Sequence, residues 1–193
     1  LQLIKPKKDI PLIDIYLLKK IPPGAGLGGG SSDAAFMLEM LNQIFDLGYT
    51  LNDLIKTASK LGADCPFFLI NKPTLATGIG NVMESIDVDL SNFYLLLVKP
   101  DISISTKEAY SMITPQTPEF SLREIVKKPL NEWNKFIKND FESPIFKKYP
   151  EICEIKNQIL DMGALYSSMS GSGSSVYGIF NSKPECEGKF KNC

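Results

Sequence analysis

The segment Pro-Pro-Gly-Ala-Gly-Leu-Gly-Gly-Gly-Ser-Ser-Asp-Ala-Ala, residues 22–35, constrains the fold of this chain more than any other stretch. Five of the seven residues 24–30 are glycine, and each glycine costs backbone entropy when it is ordered. An alternating apolar segment, 13–21, precedes it and predicts a strand, and an apolar stripe at helical spacing, 33–45, follows it. Flexible linkers are usually flanked by polar sequence, so this position between two regular elements favours a binding loop.

A helix N-terminus that follows such a loop offers unpaired amides and about half a positive charge to a phosphate group. Gly24, Gly26 and Gly29 also fit the G-x-G-x-x-G pattern of dinucleotide sites, but the next predicted element is a second helix, 51–61, where that fold needs a strand. The lysine of the common P-loop is absent after the glycines. The sequence therefore predicts a phosphate loop of another kind, which uses amides, the helix dipole, hydroxyls and a lysine just before the loop. The predicted phosphate-binding residues are Lys19, Pro22, Pro23, Gly24, Ala25, Gly26, Leu27, Gly28, Gly29, Gly30, Ser31 and Ser32.

Composition limits the chemistry and the partners of the chain. Its 193 residues carry a net charge of -1 and include no histidine, so a Ser-His-Asp or Cys-His mechanism is impossible within them. Nothing in this charge points to nucleic acid or to an anionic membrane as a partner, and the longest apolar runs are too short to span a bilayer. The cysteines are scattered without a CxxC pair, which suits a reducing cytosol, so we expect a cytoplasmic protein. They are Cys65, Cys153, Cys186 and Cys193.

Strands and helices follow one another without regular alternation, which predicts an α+β fold. A polar stretch, 87–92, marks a candidate boundary between two domains, 1–90 and 91–193. Ser105 and Glu108 form a capping-box pattern that starts a short helix. The other predicted helices are 122–126, 133–141 and 151–162. The other predicted strands are a short one after Pro66, a hairpin within 74–86, a buried strand over 93–98 and a last strand over 176–180.

The glycine-rich segment, 22–35, resembles the ATP loop of the GHMP kinase superfamily over its whole length. Gly-Ala-Asp-Cys-Pro-Phe-Phe, 62–68, resembles the stretch that holds the catalytic aspartate in those members that act on a cytidyl-diphosphate sugar alcohol. Ser-Gly-Ser-Gly-Ser-Ser, 170–175, resembles the third, C-terminal glycine motif, and the segments 77–80 and 103–110 are similar to segments at the same places in that family. The resemblance covers nearly the whole chain and implies a two-domain GHMP kinase fold.

The reaction that this resemblance implies is transfer of the ATP γ-phosphate to the 2-hydroxyl of 4-diphosphocytidyl-2-C-methyl-D-erythritol, in the non-mevalonate route to isoprenoids. It implies ATP and Mg²⁺ as cofactors and a small molecule as the partner. Asp64 is the predicted catalytic residue, which accepts or orients the hydroxyl proton, although a turn aspartate at a helix end has the same sequence setting. Cys65 beside it has no histidine to activate it and is interpreted as a small buried side chain.

The remaining predicted site residues hold the substrate and the metal. Tyr110 is placed against the cytosine ring and Thr106 near the substrate diphosphate, with a core tyrosine and a first-turn helical residue as the alternatives. Ser31 and Asp33 are the metal candidates, and helix capping or dipole compensation is the other explanation for them. From the C-terminal glycine motif we expect Gly171, Ser172 and Gly173 to bind substrate from the second domain, whereas a tight turn before a strand is the simpler reading.

One part of the family pattern is not found here. A lysine-asparagine strand and a Gly-Tyr-His segment normally precede the ATP loop, but the 21 residues before Pro22 contain neither. We therefore expect the chain to be a fragment without the front of the first domain, and unstable or inactive on its own, since open sheet edges and uncovered apolar faces favour aggregation. Asn81 stands where the family often has glutamate. The alternatives are another GHMP kinase, acting on homoserine or mevalonate, and an inactive nucleotide-binding module.

Overall fold

The computed structural model describes residues 3–4, 10–114 and 116–190. These residues form two compact units. The first contains the described residues up to Lys20 together with Gly28–Asp87, and the second contains Ile21–Leu27 and the described residues from Val88 onward. The chain thus passes from the first unit to the second and back inside the glycine-rich segment.

The first unit consists of three helices and a hairpin. The helices are α1, Gly29–Ile44, α2, Leu51–Ala58, and α3, Cys65–Ile70. The hairpin pairs β1, Thr74–Thr77, with β2, Val82–Ser85, in antiparallel register. Apolar side chains of the three helices, together with Ile4 and Leu47, form one buried cluster. Its helical members are Leu38, Leu41, Leu54, Ala58 and Cys65. The buried position of Cys65 agrees with its interpretation as a packing residue.

Three sequence predictions in this unit need correction. The stretch after Pro66 is the helix α3 and not a strand, because Pro66 occupies the first turn, where proline is well tolerated. The helix predicted over 33–45 begins four residues earlier, at Gly29. The segment 13–21 forms no strand, because none of the described residues pairs with it, and Leu12, Tyr16 and Leu18 in this region are highly exposed.

The second unit is built on a three-stranded antiparallel sheet with the order β3-β5-β4. Helices and one 3₁₀ turn connect and cover these strands. In chain order the elements are β3, Tyr94–Val98, α4, Thr106–Ser111, α5, Leu122–Ile125, the 3₁₀ turn Leu130–Glu132, α6, Trp133–Phe136, α7, Glu142–Lys148, α8, Pro150–Asp161, β4, Tyr166–Met169, and β5, Val176–Phe180. The helix predicted over 133–141 is therefore shorter, and α7 was not predicted.

Both faces of this sheet carry buried side chains. On one face α8 packs so closely on β5 that a Cβ at Gly178 would collide with Ile159. On the other face Tyr166 lies edge-on to Trp133, with ring centroids 5.7 Å apart. The prediction of a buried strand at 93–98 was right about the strand but wrong about its burial, since β3 is an edge strand and Leu95 is 65% exposed. Among the described residues, none of the helices has the length and apolar character needed to cross a bilayer.

Candidate functional site

The end of the glycine-rich segment forms the N-terminus of α1 in the first unit. Gly28 is the residue before the helix and has a φ of +64°, a left-handed conformation that favours glycine. The amide of Ser32 donates to the Gly28 carbonyl oxygen at 2.9 Å, which is the first bond of the helix. The three amides before it have no acceptor within the helix, and no side chain in the described residues caps this end. The arrangement offers N–H groups to an anion.

Helix capping was one explanation for the serines at this end, but neither serine caps the helix. Ser32 lies within the first turn, and its hydroxyl donates to the Gly29 carbonyl oxygen at 2.9 Å. Ser31 is also inside the helix. Asp33 accepts a short ion-pair hydrogen bond from Lys19, so the structure joins the predicted phosphate-binding lysine to the predicted metal candidate. Within the described part of the chain no group of three His, Cys, Asp or Glu side chains is placed to hold a metal ion.

Asp64 lies in the first unit at the start of α3, where it is exposed and makes no capping hydrogen bond. One helical turn later the Phe68 ring lies against Gly28, so closely that a Cβ built there would be 2.8 Å from the ring atom Cζ. The hairpin turn also approaches Asp64, since a Cβ at Gly80 would lie 3.8 Å from its Oδ1 atom. Asn81 in this turn accepts the Ile79 amide at 3.3 Å, which gives it a local structural role. The Gly-Ala-Asp-Cys-Pro-Phe-Phe segment therefore supports the glycine loop through its last residue.

The first half of the glycine-rich segment, residues 22–27, is held by hydrogen bonds within the second unit. The amide of Ser175 donates to the Ala25 carbonyl oxygen at 3.1 Å, and the Ser170 hydroxyl donates to that of Gly26 at 2.8 Å. Gly26 has a φ of +73°, and a Cβ there would collide with the carbonyl oxygens of Ser170 and Gly173. On the other side, the Ile104 amide donates to the Gly24 carbonyl oxygen at 3.4 Å. The two glycine-rich loops are thus in direct backbone contact inside one unit.

The C-terminal glycine loop, 170–175, connects β4 to β5. Gly171 and Gly173 have φ values of +53° and +85°, and the Gly173 amide donates to the Ser170 carbonyl oxygen at 2.9 Å. Ser174 and Ser175 are fully buried, and the Ser174 hydroxyl donates to the Ile102 carbonyl oxygen. The Ser175 hydroxyl is buried and has no hydrogen-bond partner among the described residues. The loop is a tight turn, and the hydrogen bonds of Gly173 and Ser174 hold its backbone in place.

Thr106 and Tyr110 both lie on α4, as the sequence indicated. The Ser105 hydroxyl caps this helix by accepting the Glu108 amide at 3.1 Å. The Glu108 carboxylate does not complete the capping box, because it accepts hydrogen bonds from Lys148 at 2.6 Å and Tyr149 at 3.1 Å, which lower its pKa. Tyr110 is 62% exposed and is therefore not a core tyrosine. Its ring is supported edge-on by Phe141, with centroids 5.0 Å apart.

The segment 139–142, which contacts both the C-terminal glycine loop and Tyr110, was not predicted from the sequence. Asn139 and Glu142 contact the end of β4 and the start of the C-terminal glycine loop, and Phe141 between them contacts Tyr110. The Asn-Asp-Phe-Glu stretch lay at the end of a predicted helix and carried no motif of its own. An asparagine three residues before the first residue of a new helix is a turn signal that would have separated α6 from α7.

Comparisons with known proteins place these features in a family. Residues 1–72 match the family model for the GHMP kinases N terminal domain, and residues 121–187 match that for the GHMP kinases C terminal domain. A 4-diphosphocytidyl-2-C-methyl-D-erythritol kinase of Azobacteroides pseudotrichonymphae is 51% identical over 180 residues, which cover 93% of this chain and 67% of that protein. The chain belongs to the GHMP kinase family. The two matches include the helices α1 to α3 and the elements from α5 to β5.

A second relative of this GHMP kinase chain bears the same enzyme name, and a solved structure bears a similar one. A protein of Parabacteroides distasonis called 4-diphosphocytidyl-2-C-methyl-D-erythritol kinase is 52% identical over 180 residues, 93% of this chain and 66% of that protein. The chain thus spans a little under two thirds of the length of this relative. A crystal structure of 4-(cytidine 5'-diphospho)-2C-methyl-D-erythritol kinase is 31% identical with a TM-score of 0.70, over 83% of this chain and 59% of that one.

Proposed function

We propose that this chain takes part in the transfer of the ATP γ-phosphate to the 2-hydroxyl of 4-diphosphocytidyl-2-C-methyl-D-erythritol, a step of non-mevalonate isoprenoid synthesis. The observation that carries the proposal is the contact of Phe68 with Gly28, because it joins the Asp64 segment to the phosphate-binding end of α1. The names of the relatives support the choice of substrate. The domain assignment, with an ATP-binding part in 1–90 and a substrate-side part in 91–193, belongs to the same proposal.

The nucleotide phosphates would bind at the N-terminus of α1. The free amides of its first turn and the positive end of a 16-residue helix favour an anion there. The left-handed glycines give the backbone the conformation needed to turn around a phosphate without side chains in the way. Residues 22–32 fit a phosphate in this respect, and Lys19 would contribute its positive charge from its position beside Asp33.

Mg²⁺ is usually held by one or two carboxylates together with phosphate oxygens and water. Asp33, the fifth residue of α1, carries the first carboxylate of that helix and fits that role, with the Ser31 hydroxyl as a second candidate. When bound, ATP supplies the γ-phosphoryl group and Mg²⁺ neutralises the charge on the phosphates. Lys19 compensates the charge of Asp33 in the structure, so the carboxylate is already held in one position.

Asp64 would act on the attacking hydroxyl. Phosphoryl transfer depends mainly on positioning and charge stabilisation, and a carboxylate that accepts or orients the hydroxyl proton completes it. Asp64 is suited to this because it is exposed and makes no capping hydrogen bond that would occupy its oxygens. Its place immediately before α3 is fixed by the buried neighbours Cys65 and Pro66.

The substrate side would use the second unit. Tyr110 presents an exposed ring, supported by Phe141, on which a cytosine base would stack. Thr106 is exposed in the first turn of the same helix and would contact the diphosphate. The backbone of Gly171, Ser172 and Gly173 would complete the contacts to the substrate. We infer a small molecule as the partner of the chain. We also infer that the protein is cytoplasmic, since Cys65, Cys153 and Cys186 are free thiols.

The experiment is a phosphoryl-transfer assay on the 193-residue chain with ATP and Mg²⁺. The acceptors are 4-diphosphocytidyl-2-C-methyl-D-erythritol, homoserine and mevalonate, and Asp64→Asn is measured beside the unchanged chain. Against the expectation that the chain is inactive on its own, the proposal predicts transfer, and only to the cytidyl compound. It also predicts a fall in kcat of roughly 100- to 10,000-fold in Asp64→Asn and an unchanged affinity for ADP. A preference for homoserine or mevalonate, or full activity of Asp64→Asn, would refute the proposal.

A second candidate function is nucleotide binding without catalysis. It is favoured by the exposed apolar segment around Tyr16, which has no partner strand among the described residues. In that case ADP would bind to the chain, while none of the three acceptors would be phosphorylated.

A further inference from the structure

The amide side chain of Asn139 clamps the start of the C-terminal glycine loop. Its Nδ2 group donates to the carbonyl oxygen of Met169 at 2.8 Å and to that of Gly171 at 2.7 Å. Its Oδ1 atom accepts the Phe141 amide at 3.0 Å. Only this orientation of the side chain satisfies all three groups, because the rotated amide would turn its oxygen toward two carbonyl oxygens. Asn139 thus holds the backbone on both sides of Ser170.

The carboxylate of Glu142 also holds the end of β4 in place. Its Oε1 atom accepts the Met169 amide at 2.9 Å and the Ser168 hydroxyl at 3.2 Å, and its Oε2 atom accepts Lys156 at 2.6 Å. The carboxylate is nearly buried, so these bonds also satisfy a charge that would otherwise be costly in this position. The last residue of β4 is therefore held at its amide by Glu142 and at its carbonyl by Asn139.

The backbone positions that Asn139 fixes are the ones that contact the first glycine loop. Ser170, which lies between Met169 and Gly171, donates its hydroxyl to Gly26 at 2.8 Å. Gly26 has no room for even one additional carbon atom against Ser170 and Gly173. A shift of the backbone at 169–171 would therefore move residues 25–26 as well, all within the second unit.

We propose that Asn139 is a positioning residue that sets the conformation of both glycine loops, 22–27 and 170–175, and through the loop 22–27 the affinity for a nucleotide phosphate. The part concerning affinity rests on the proposed function, whereas the part concerning conformation does not. Asn139 acts through the backbone of Met169 and Gly171.

The chain offers a matched control at the other end of β4. Asn134 donates its Nδ2 group to the Leu165 carbonyl oxygen at 2.8 Å and accepts the Ser167 amide at 3.3 Å. The replacements Asn139→Asp and Asn134→Asp remove the same donor and keep the same acceptor. Both place a negative charge against backbone carbonyl oxygens, but only the first does so at a glycine loop.

The test combines amide hydrogen exchange in the absence of nucleotide with ADP affinity by calorimetry. In Asn139→Asp we expect the amides of Ser170, Gly173 and Ser175 to exchange at least about tenfold faster, since the bonds that hold the loop are weakened. We expect the dissociation constant for ADP to rise by about tenfold. In Asn134→Asp both quantities stay within about twofold of those of the unchanged chain.

Unchanged exchange of these three amides in Asn139→Asp would overturn the proposal, and so would faster exchange with unchanged ADP affinity. If the unchanged chain does not bind ADP while the exchange rates respond as expected, the proposed function fails and the conformational role of Asn139 stands. Should Asn139→Asp not fold, Asn139→Ala, which removes the donor without adding a charge, carries the same test. If both fail to fold while Asn134→Asp folds, Asn139 is a stability residue and the proposal is wrong.

Discussion

Replacement of Gly26 by alanine tests how tightly the two glycine loops are interlocked. The φ of +73° costs a residue with a side chain about 1–2 kcal/mol. The new Cβ would also collide with the carbonyl oxygens of Ser170 and Gly173, which belong to the backbone and cannot rotate away. Relief of such overpacking costs roughly 1–3 kcal/mol, and the hydrogen bond from Ser170 to Gly26 contributes about 1 kcal/mol more. We therefore expect Gly26→Ala to lower the free energy of unfolding by roughly 3–6 kcal/mol.

Gly163→Ala is the control for the backbone cost alone. Gly163 has a φ of +94° and lies in the same unit, but a Cβ there would meet nothing within 4 Å. We expect it to lose only about 1–2 kcal/mol. Urea unfolding of both variants is followed by the fluorescence of Trp133, the single tryptophan, which is buried in that unit. If Gly26→Ala loses no more than Gly163→Ala, the close contact of the two loops is not present in solution.

Three further predictions follow from particular contacts. Phe68→Leu removes the ring that supports Gly28 and should weaken ADP binding by about tenfold in calorimetry, whereas Phe67→Leu beside it should not; equal effects would contradict the supporting role. Burial raises the pKa of Tyr166 above its ordinary value of 10.0, so the unfolded state ionises first and stability falls above about pH 10, by up to about 1.4 kcal/mol per pH unit. Urea midpoints between about pH 8 and 11 should therefore fall less steeply in Tyr166→Phe, and parallel curves would contradict this. Ser175→Ala removes a buried hydroxyl without a partner among the described residues, and should leave the thermal midpoint unchanged or higher; a clear fall would show that the hydroxyl is satisfied.

The sequence predicted those elements whose signals are local. Thr50 and Asp53 form the capping box that starts α2, and the apolar positions of α8 follow one helical stripe that ends before Gly163. The hairpin around Gly78 and Gly80 was also predicted, because its turn requires residues with positive φ. The family resemblance rested mainly on the local motifs at 22–35, 62–68 and 170–175, and the comparisons confirm it.

Elements that depend on distant contacts were not predictable in this way. The short apolar run after Pro66 suits a buried strand or a buried helix equally well, and its packing against α1 and α2 decides for the helix. The exposure of Leu95 depends on the place of β3 at the edge of the sheet, which the sequence of the strand does not contain. Asn139 acts on Met169, which lies 30 residues further along the chain, so its role is visible only in the folded structure.

The central claim is that the N-terminus of α1, with the glycine residues that precede it, binds the phosphates of a nucleotide. Amide NMR of the chain during titration with ADP and Mg²⁺ tests it most directly, because each backbone N–H reports on its own surroundings. The account predicts that the largest shifts occur at the N-terminus of α1, from Gly28 to Ser31. Saturable binding with shifts confined to other parts of the chain, or no binding at all, would contradict it.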